Sequence, residues 1–212
     1  MSHQEKTSLE KLLQSGLLDL DLHLPTHAQE KIIIYLNLLA KWNKTYNLTA
    51  ITNLHDMLIL HVFDSLSIAP YINGSNILDV GTGAGFPGIP LALAFPEWNF
   101  VLLDSNSKKT TFIQHAILTL EIKNVTVIQN RIEQFQFAAG FDTIVTRATT
   151  KIKTLIALTK HFGRENSQLL IMKGKYPEHE LSDVCGAKVV KLHVPELQAE
   201  RHLVIVNLKD TL

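Results

Sequence analysis

Two acids and three glycines carry the clearest chemical signal in this chain. The apolar run Ile77-Leu78-Asp79-Val80 contains one acid and gives way to Gly81-Thr82-Gly83-Ala84-Gly85. Glycine lets a backbone turn tightly and lets a ligand approach with no Cβ in its path. The next apolar run ends at Asp104, 19 residues after Gly85. Its carboxylate can accept hydrogen bonds from both hydroxyls of a ribose. A strand that stops in a glycine turn, followed by an acid at the end of the next strand, fits a nucleoside.

The spacing discriminates among nucleosides. The dinucleotide fingerprint G-x-G-x-x-G would need its third glycine at position 86, where Phe86 stands. The observed order is G-x-G-x-G, and Pro87 and Pro90 occupy the place where a pyrophosphate-binding helix would start. No P-loop lysine followed by serine or threonine is present, which counts against ATP. S-adenosylmethionine has a nucleoside and an amino acid but no phosphate. It requires the glycine turn and the ribose acid alone, so Gly81, Thr82, Gly83 and Asp104 are expected to hold that cofactor.

The elements that must position these residues follow from composition and rhythm. The chain has 212 residues, of which 46% are hydrophobic and 19% charged, enough for one compact core. Its single cysteine, Cys185, excludes an internal disulfide or a cysteine-rich zinc site. The N-terminus lacks the apolar segment of a signal peptide, and no apolar run reaches the roughly 18 residues of a membrane span, so a cytoplasmic protein is expected; it is also expected to be a monomer. Net charge is zero, but the last third (151–212) holds 10 basic and 7 acidic residues, against 5 and 7 in 1–75 and 5 and 6 in 76–150. This leaves room for a local basic face and argues against a general polyanion sponge.

Residues 1–75 read as helices and form an expected N-terminal helical cap. Thr7 or Ser8 can cap a short helix with Leu9, Leu12 and Leu13; Thr26 to Gln29 fits a capping box; Asn53 can cap a third helix that stops before Pro70. From 76 to 212 short apolar runs alternate with helical stretches, with strands expected at 77–80, 100–104, 125–128, 143–146, 169–172, 188–193 and 203–208. That alternation makes the fold α/β: a Rossmann-like, mostly parallel seven-stranded sheet flanked by helices. Only nine residues, PELQAE (195–200) among them, separate the last two strands, too few for a crossover, so the last strand is expected to be antiparallel.

Several segments in this order resemble a known family: KWNKTYNLTAI (41–51), HVFDSLSIAPY (61–71), DVGTGAGFPGIPLAL (79–93), LLDSNSKKTTFI (102–113), RIEQF (131–135), VTRA (145–148) and ERHLVIV (200–206). The sequence is similar to the bacterial small-subunit ribosomal RNA guanine-N7 methyltransferases, also called glucose-inhibited division protein B. The likeness runs from about residue 41 to the end. It implies an S-adenosylmethionine-dependent enzyme that methylates guanine 527 of 16S ribosomal RNA, with the small ribosomal subunit or its assembly intermediate as partner. By position it places the cofactor on Gly81, Phe86, Ile132, Glu133 and Arg147.

The same residues have a reading of their own. Ile132 and Glu133 offer an apolar wall and a polar edge to adenine. Arg147 can pair with the methionine carboxylate of the cofactor or with an RNA phosphate, but as a cation it cannot sit against the sulfonium. Lys173, Lys175, Lys41, Lys44, Arg201 and His202 lie near aromatics, a combination that can hold phosphates and stack on an extruded base. His61, Asp64 and Ser65 share one helix, but no G-x-S-x-G exists to make a hydrolase of them, and packing against the glycine loop is their expected role. The ten histidines show no metal-binding pattern. Guanine N7 carries no proton, so no catalytic acid or base is expected. The alternatives are a different methyl acceptor, RNA or small molecule, or a nucleotide-binding oxidoreductase or regulator.

Overall fold

The computed structural model describes residues 3–147, 150–182 and 184–211. Its centre is one sheet of seven strands: β1 (Asn76–Val80), β2 (Asn99–Asp104), β3 (Val125–Gln129), β4 (Phe141–Thr146), β5 (Gly163–Lys173), β6 (Lys188–Lys191) and β7 (His202–Asn207). The order across the sheet is β3-β2-β1-β4-β5-β7-β6. The first five strands are parallel, and β7 runs antiparallel to both β5 and β6. All seven expected strands are present. The fifth starts earlier than its apolar run, because Phe141 pairs with Gly163 and the register then slips, leaving Thr143 opposite Gln168.

Strand side chains alternate between two faces. Ile77, Phe100, Leu102, Val145 and Leu170 pack into the larger cluster, while Leu78, Val80, Val101, Leu103 and Ile144 pack into the other. Helices α1 (His3–Asp19), α2 (Thr26–Tyr46), α5 (Gly88–Ala94) and α6 (Ser107–Thr119) cover the first face; α7 (Ile152–Thr159) covers the second. The helices before β1 share one continuous apolar cluster with that first face, through Leu13, Ile32, Leu36, Leu39, Val62 and Phe63.

Two helix starts differ from the sequence expectation. α1 begins at His3, so Thr7 and Ser8 lie inside it and not at its start. At α2 the cap position is Pro25, with no side-chain bond to the first turn; Gln29 instead donates to the Leu24 carbonyl at 2.8 Å. The third start is as expected: Asn53 accepts from the backbone N–H of His55 (2.8 Å) and Asp56 (3.4 Å). The helix it opens comprises α3 (Leu54–Met57), a π-helical stretch (Leu58–Phe63) and α4 (Asp64–Leu66). Such wide turns recur at functional positions, and this one presents His61 and Asp64 to the end of β4.

Candidate active site

The parallel strands reverse order between β1 and β4, and open α/β sheets bind ligands beyond the carboxyl ends of the strands at that point. Val80 pairs with Thr146 across these two strands, and the Thr146 hydroxyl donates to the Val80 carbonyl at 2.9 Å. Gly81 and Arg147 therefore leave the sheet side by side, roughly 5 Å apart by strand spacing.

The glycine loop is held from beneath and from the side. The N–H groups of Gly81 and Thr82 both donate to the Leu103 carbonyl, at 2.8 and 3.1 Å. Buried Asp79 accepts from the Thr82 hydroxyl (2.6 Å) and the Gly88 N–H (2.8 Å) through Oδ2, while its Oδ1 has no partner among the described residues. Burial raises this acid to about 7, against the opposing pull of those two hydrogen bonds. Tyr35 of α2 donates its hydroxyl to the Ala84 carbonyl, and burial next to Asp79 raises its own proton affinity. Gly85, at φ +88°, turns directly over this tyrosine. A Cβ added to it would stand 2.4 Å from the Tyr35 Oη.

Two cavities flank the β1–β4 junction. The first, of about 330 Å³, is lined by Gly81, Asp104, Ile132 and Glu133, with Ser105, Asn130, Arg131, Thr150, Leu155 and Leu158. Gly81 has φ +69°, and a Cβ there would meet no atom within 4 Å. Asp104 accepts from the Gly83 N–H through Oδ2 and from the Asn106 N–H through Oδ1, both at 2.8 Å. Each carboxylate oxygen keeps a further lone pair for a hydroxyl. Gly81, Asp104, Ile132 and Glu133 thus meet around one cavity. Lys109 was not expected; its Nζ would lie 3.9 Å from a Cβ on Gly83.

Four residues expected at the cofactor, Thr82, Gly83, Phe86 and Arg147, do not line this cavity. Thr82 is buried with its hydroxyl on Asp79, and Phe86 is buried under the loop. Phe86 stacks on His61 with ring centres 4.5 Å apart, and the Arg147 guanidinium lies 5.6 Å from its ring centre. Arg147 itself faces the second cavity.

That second cavity, of about 400 Å³, is lined by Ile51, Leu60, His61, Asp64, Arg147, Met172, Lys173, Gly174 and Arg201. Arg147 donates to the Leu60 carbonyl (3.0 Å), to Asp64 Oδ2 (3.2 Å) and to His61 Nδ1 (3.2 Å). A guanidinium only donates, so His61 Nδ1 is an acceptor and its Nε2 carries the proton toward Thr49 Oγ1, 2.9 Å away. Burial, and then the Arg147 charge, lower His61 to about 3, consistent with that neutral tautomer. Asn43 in turn accepts from the Thr49 N–H at 2.9 Å. The WNKTYNLT segment is therefore a chain of hydrogen bonds that steadies Arg147. Ser65 donates to the His61 carbonyl and never meets the imidazole ring, so no hydrolase triad forms.

The remaining basic residues separate. Arg201 donates to Asp64 Oδ1 at 3.0 Å and lines the cavity. Lys173 lines it too, but its ammonium is 3.0 Å from Glu180, which also accepts from the Ile152 N–H. Lys175 is exposed at the rim beside Tyr176. Lys41 and Lys44 are exposed on α2 and line neither cavity, while Trp42 between them packs inward on Phe112 and His115. His202, expected at RNA, is only 6% exposed and lies edge-on to Tyr176. Among the described residues no three His, Cys, Asp or Glu side chains converge as metal ligands, and no helix is long and apolar enough to cross a membrane.

The fold and this site have relatives. The family model described as rRNA small subunit methyltransferase G matches residues 28–204. "Ribosomal RNA small subunit methyltransferase G" of Coxiella burnetii (strain Dugway 5J108-111) is 50% identical over 196 residues, 92% of this chain and 96% of that protein. The protein of the same name from Laribacter hongkongensis is 42% identical over 206 residues, covering 95% and 100%. Among solved structures, a SAM-dependent methyltransferase from Aquifex aeolicus superposes with a TM-score of 0.53 at 20% identity, over 71% of this chain and 91% of that one. A putative O-methyltransferase from Klebsiella pneumoniae gives 0.56 at 11% identity, over 82% and 90%. At such identities these two establish the fold alone.

Proposed function

We propose, for a chain that belongs to the rRNA small subunit methyltransferase G family, methyl transfer from S-adenosylmethionine to N7 of one guanine in small-subunit ribosomal RNA, guanine 527 of the 16S molecule. The observation that carries this reading is the pair of cavities meeting where β1 and β4 end. One has the features of a nucleoside site without a phosphate cradle; the other is lined by three cations and no free base.

The residues present fit the cofactor. The open side of Gly81 leaves room that a Cβ would fill, Asp104 is placed to accept from ribose hydroxyls, and Ile132 offers an apolar surface for the adenine. When bound, S-adenosylmethionine supplies an electrophilic methyl group. The chain's own work is to bind, orient and exclude water. Arg147 and Arg201 can hold an RNA phosphate through the guanidinium donors that Asp64 leaves free. Guanine N7 has an in-plane lone pair and no proton, so no group has to remove one. His61 suits such a reaction: both its nitrogens are engaged and it stays neutral. Alignment of donor and acceptor alone can supply roughly 7–11 kcal/mol of barrier lowering.

The test uses purified protein, labelled S-adenosylmethionine, and small-subunit RNA carrying guanine or 7-deazaguanine at the target. Methylation of the first and none of the second is expected. Equal labelling of both would reject N7 as the acceptor.

A further inference from the structure

We propose that the face shared by the second half of α2 and by α6 is a docking surface for the phosphate backbone of the RNA around the target; only the identity of that partner rests on the methyl-transfer reading above. The two helices carry no acid where they adjoin. From Lys31 to Tyr46, and from Ser107 to Thr119, there is no Asp or Glu, whereas the whole chain balances 20 basic residues with 20 acidic ones. The same segments hold Lys41, Lys44, Lys108 and Lys109, with exposed His115 beside them. Among the described residues none of these four lysines makes an ion pair, while Lys173 and Lys209 elsewhere each meet a glutamate.

Packing brings the two sets of charge together at the mouth of the site. Trp42, between Lys41 and Lys44, lies against Phe112 and His115 of α6, with ring centres 5.7 and 5.1 Å apart. Lys108 precedes His115 by seven residues, about two turns along one stripe of the helix. Asn43, next to Trp42, accepts from the Thr49 N–H, and Thr49 leads through His61 to Arg147 at the end of β4. On α6, the Lys109 ammonium would stand 3.9 Å from a Cβ on Gly83 of the glycine loop. The acid-free face therefore reaches the carboxyl end of the sheet from both helices. Lysines without a counter-ion keep their charge available, and each phosphate they neutralise releases cations from the RNA. Tyr46, 42% exposed and with its ring centre 5.2 Å from that of Trp42, adds a surface on which an unpaired base can stack. That ring favours RNA over an acidic protein.

Binding of small-subunit RNA across a salt series tests the surface without any turnover. Lys41→Gln/Lys44→Gln/Lys108→Gln removes three charges and keeps good helix formers. The slope of log affinity against log salt should fall by roughly 2 to 3 units. The KM for RNA should rise about tenfold at moderate salt, with kcat and the S-adenosylmethionine Kd close to wild type. A control, Lys123→Gln/Lys160→Gln/Lys188→Gln, removes the same charge from exposed positions at the amino ends of β3, β5 and β6, the opposite end of the sheet. It should leave the slope unchanged. Tyr46→Ala should weaken binding with no change of slope, and wild-type affinity there would remove the stacking ring from the surface. An unchanged slope in the first variant, or an equal fall in the control, overturns the proposal. So does a wild-type protein that fails to bind this RNA at low salt. If the first variant loses only its binding to assembled subunits and keeps the wild-type slope on RNA, the face meets a protein and the proposal fails. Salt-dependent RNA binding without methylation would reject the reaction instead and leave the surface standing.

Discussion

Two glycines four residues apart should respond to the same substitution in opposite ways. Gly81 has φ +69° and open space where a Cβ would go; Gly85 has φ +88° and would set that Cβ 2.4 Å from Tyr35 Oη and 2.7 Å from Ile89 Cγ1. Placing alanine in the left-handed region costs about 1–2 kcal/mol at either position. At Gly81 that is the whole stability cost, since nothing is displaced, and it corresponds to a fall in Tm of about 2–8 °C for a chain of this size. The space it fills belongs to the first cavity, so the cofactor loses its approach. At Gly85 the clash adds about 1–3 kcal/mol of overpacking and forces Tyr35 off the Ala84 carbonyl. The fall in Tm should therefore be about 1.5 to 4 times as large. Thermal melts with and without S-adenosylmethionine separate the two, because a ligand that binds only the folded state raises Tm with its concentration. Gly81→Ala should melt only slightly early and gain nothing from the cofactor, with an affinity loss above tenfold by calorimetry. Gly85→Ala should melt much earlier and, wherever it is folded, still respond to cofactor. Wild-type affinity in Gly81→Ala would show that the cavity beside β1 is not the cofactor's.

Three further outcomes follow from the same geometry. His61 sits near 3 in the folded protein against an ordinary value of 6.5, so below pH 6.5 the unfolded chain takes up the extra proton and stability is lost as pH falls. Urea titrations should show wild type losing about 1.4 kcal/mol per pH unit there relative to His61→Gln, and parallel curves would refute the buried neutral tautomer. Asp79 has the opposite sign: its folded value of about 7 lies above the ordinary 3.8. The folded state thus holds the extra proton, and stability declines as pH rises between those values. Asp79→Asn should remove that decline, gaining up to a few kcal/mol on wild type by pH 8; no relative gain would mean that the acid is charged and solvated. Lys175→Ala should flatten the salt dependence of RNA binding by roughly one unit of slope with Tm unchanged. Lys173→Ala should also lower Tm, since Glu180 loses its ammonium partner and keeps only the Ile152 N–H; an unchanged slope in both would mark them as ordinary surface.

What the sequence revealed and what it hid divide along one physical line. The strands, the glycine turn and the acid of β2 were legible because each is a local pattern: an apolar run, a breaker, an acid at a strand end. β5 was legible only from residue 169 onward, because Arg164 to Ser167 carry no apolar rhythm and sit in the slipped part of the ladder. The start of α1 was hidden for a related reason, since Leu9, Leu13 and Leu17 bury one face that only tertiary packing reveals. The site shows the division most sharply. Asp104 and Gly83 are 21 residues apart and were read together; Asp64 and Arg201 are 137 apart and were not. Arg147 was seen as a basic group at a strand end, which is correct, but its cavity depends on which face of the β1–β4 junction the π-helical stretch occupies. Nothing in 58–63 announces a wide turn. That turn brings Leu60, His61 and Asp64 all within reach of one guanidinium, so Arg147 lines the second cavity and not the first. The pairing of Arg147 and Arg201 at one cavity is thus an outcome of helix geometry, and a single-residue reading of these arginines could place their charge but not their direction.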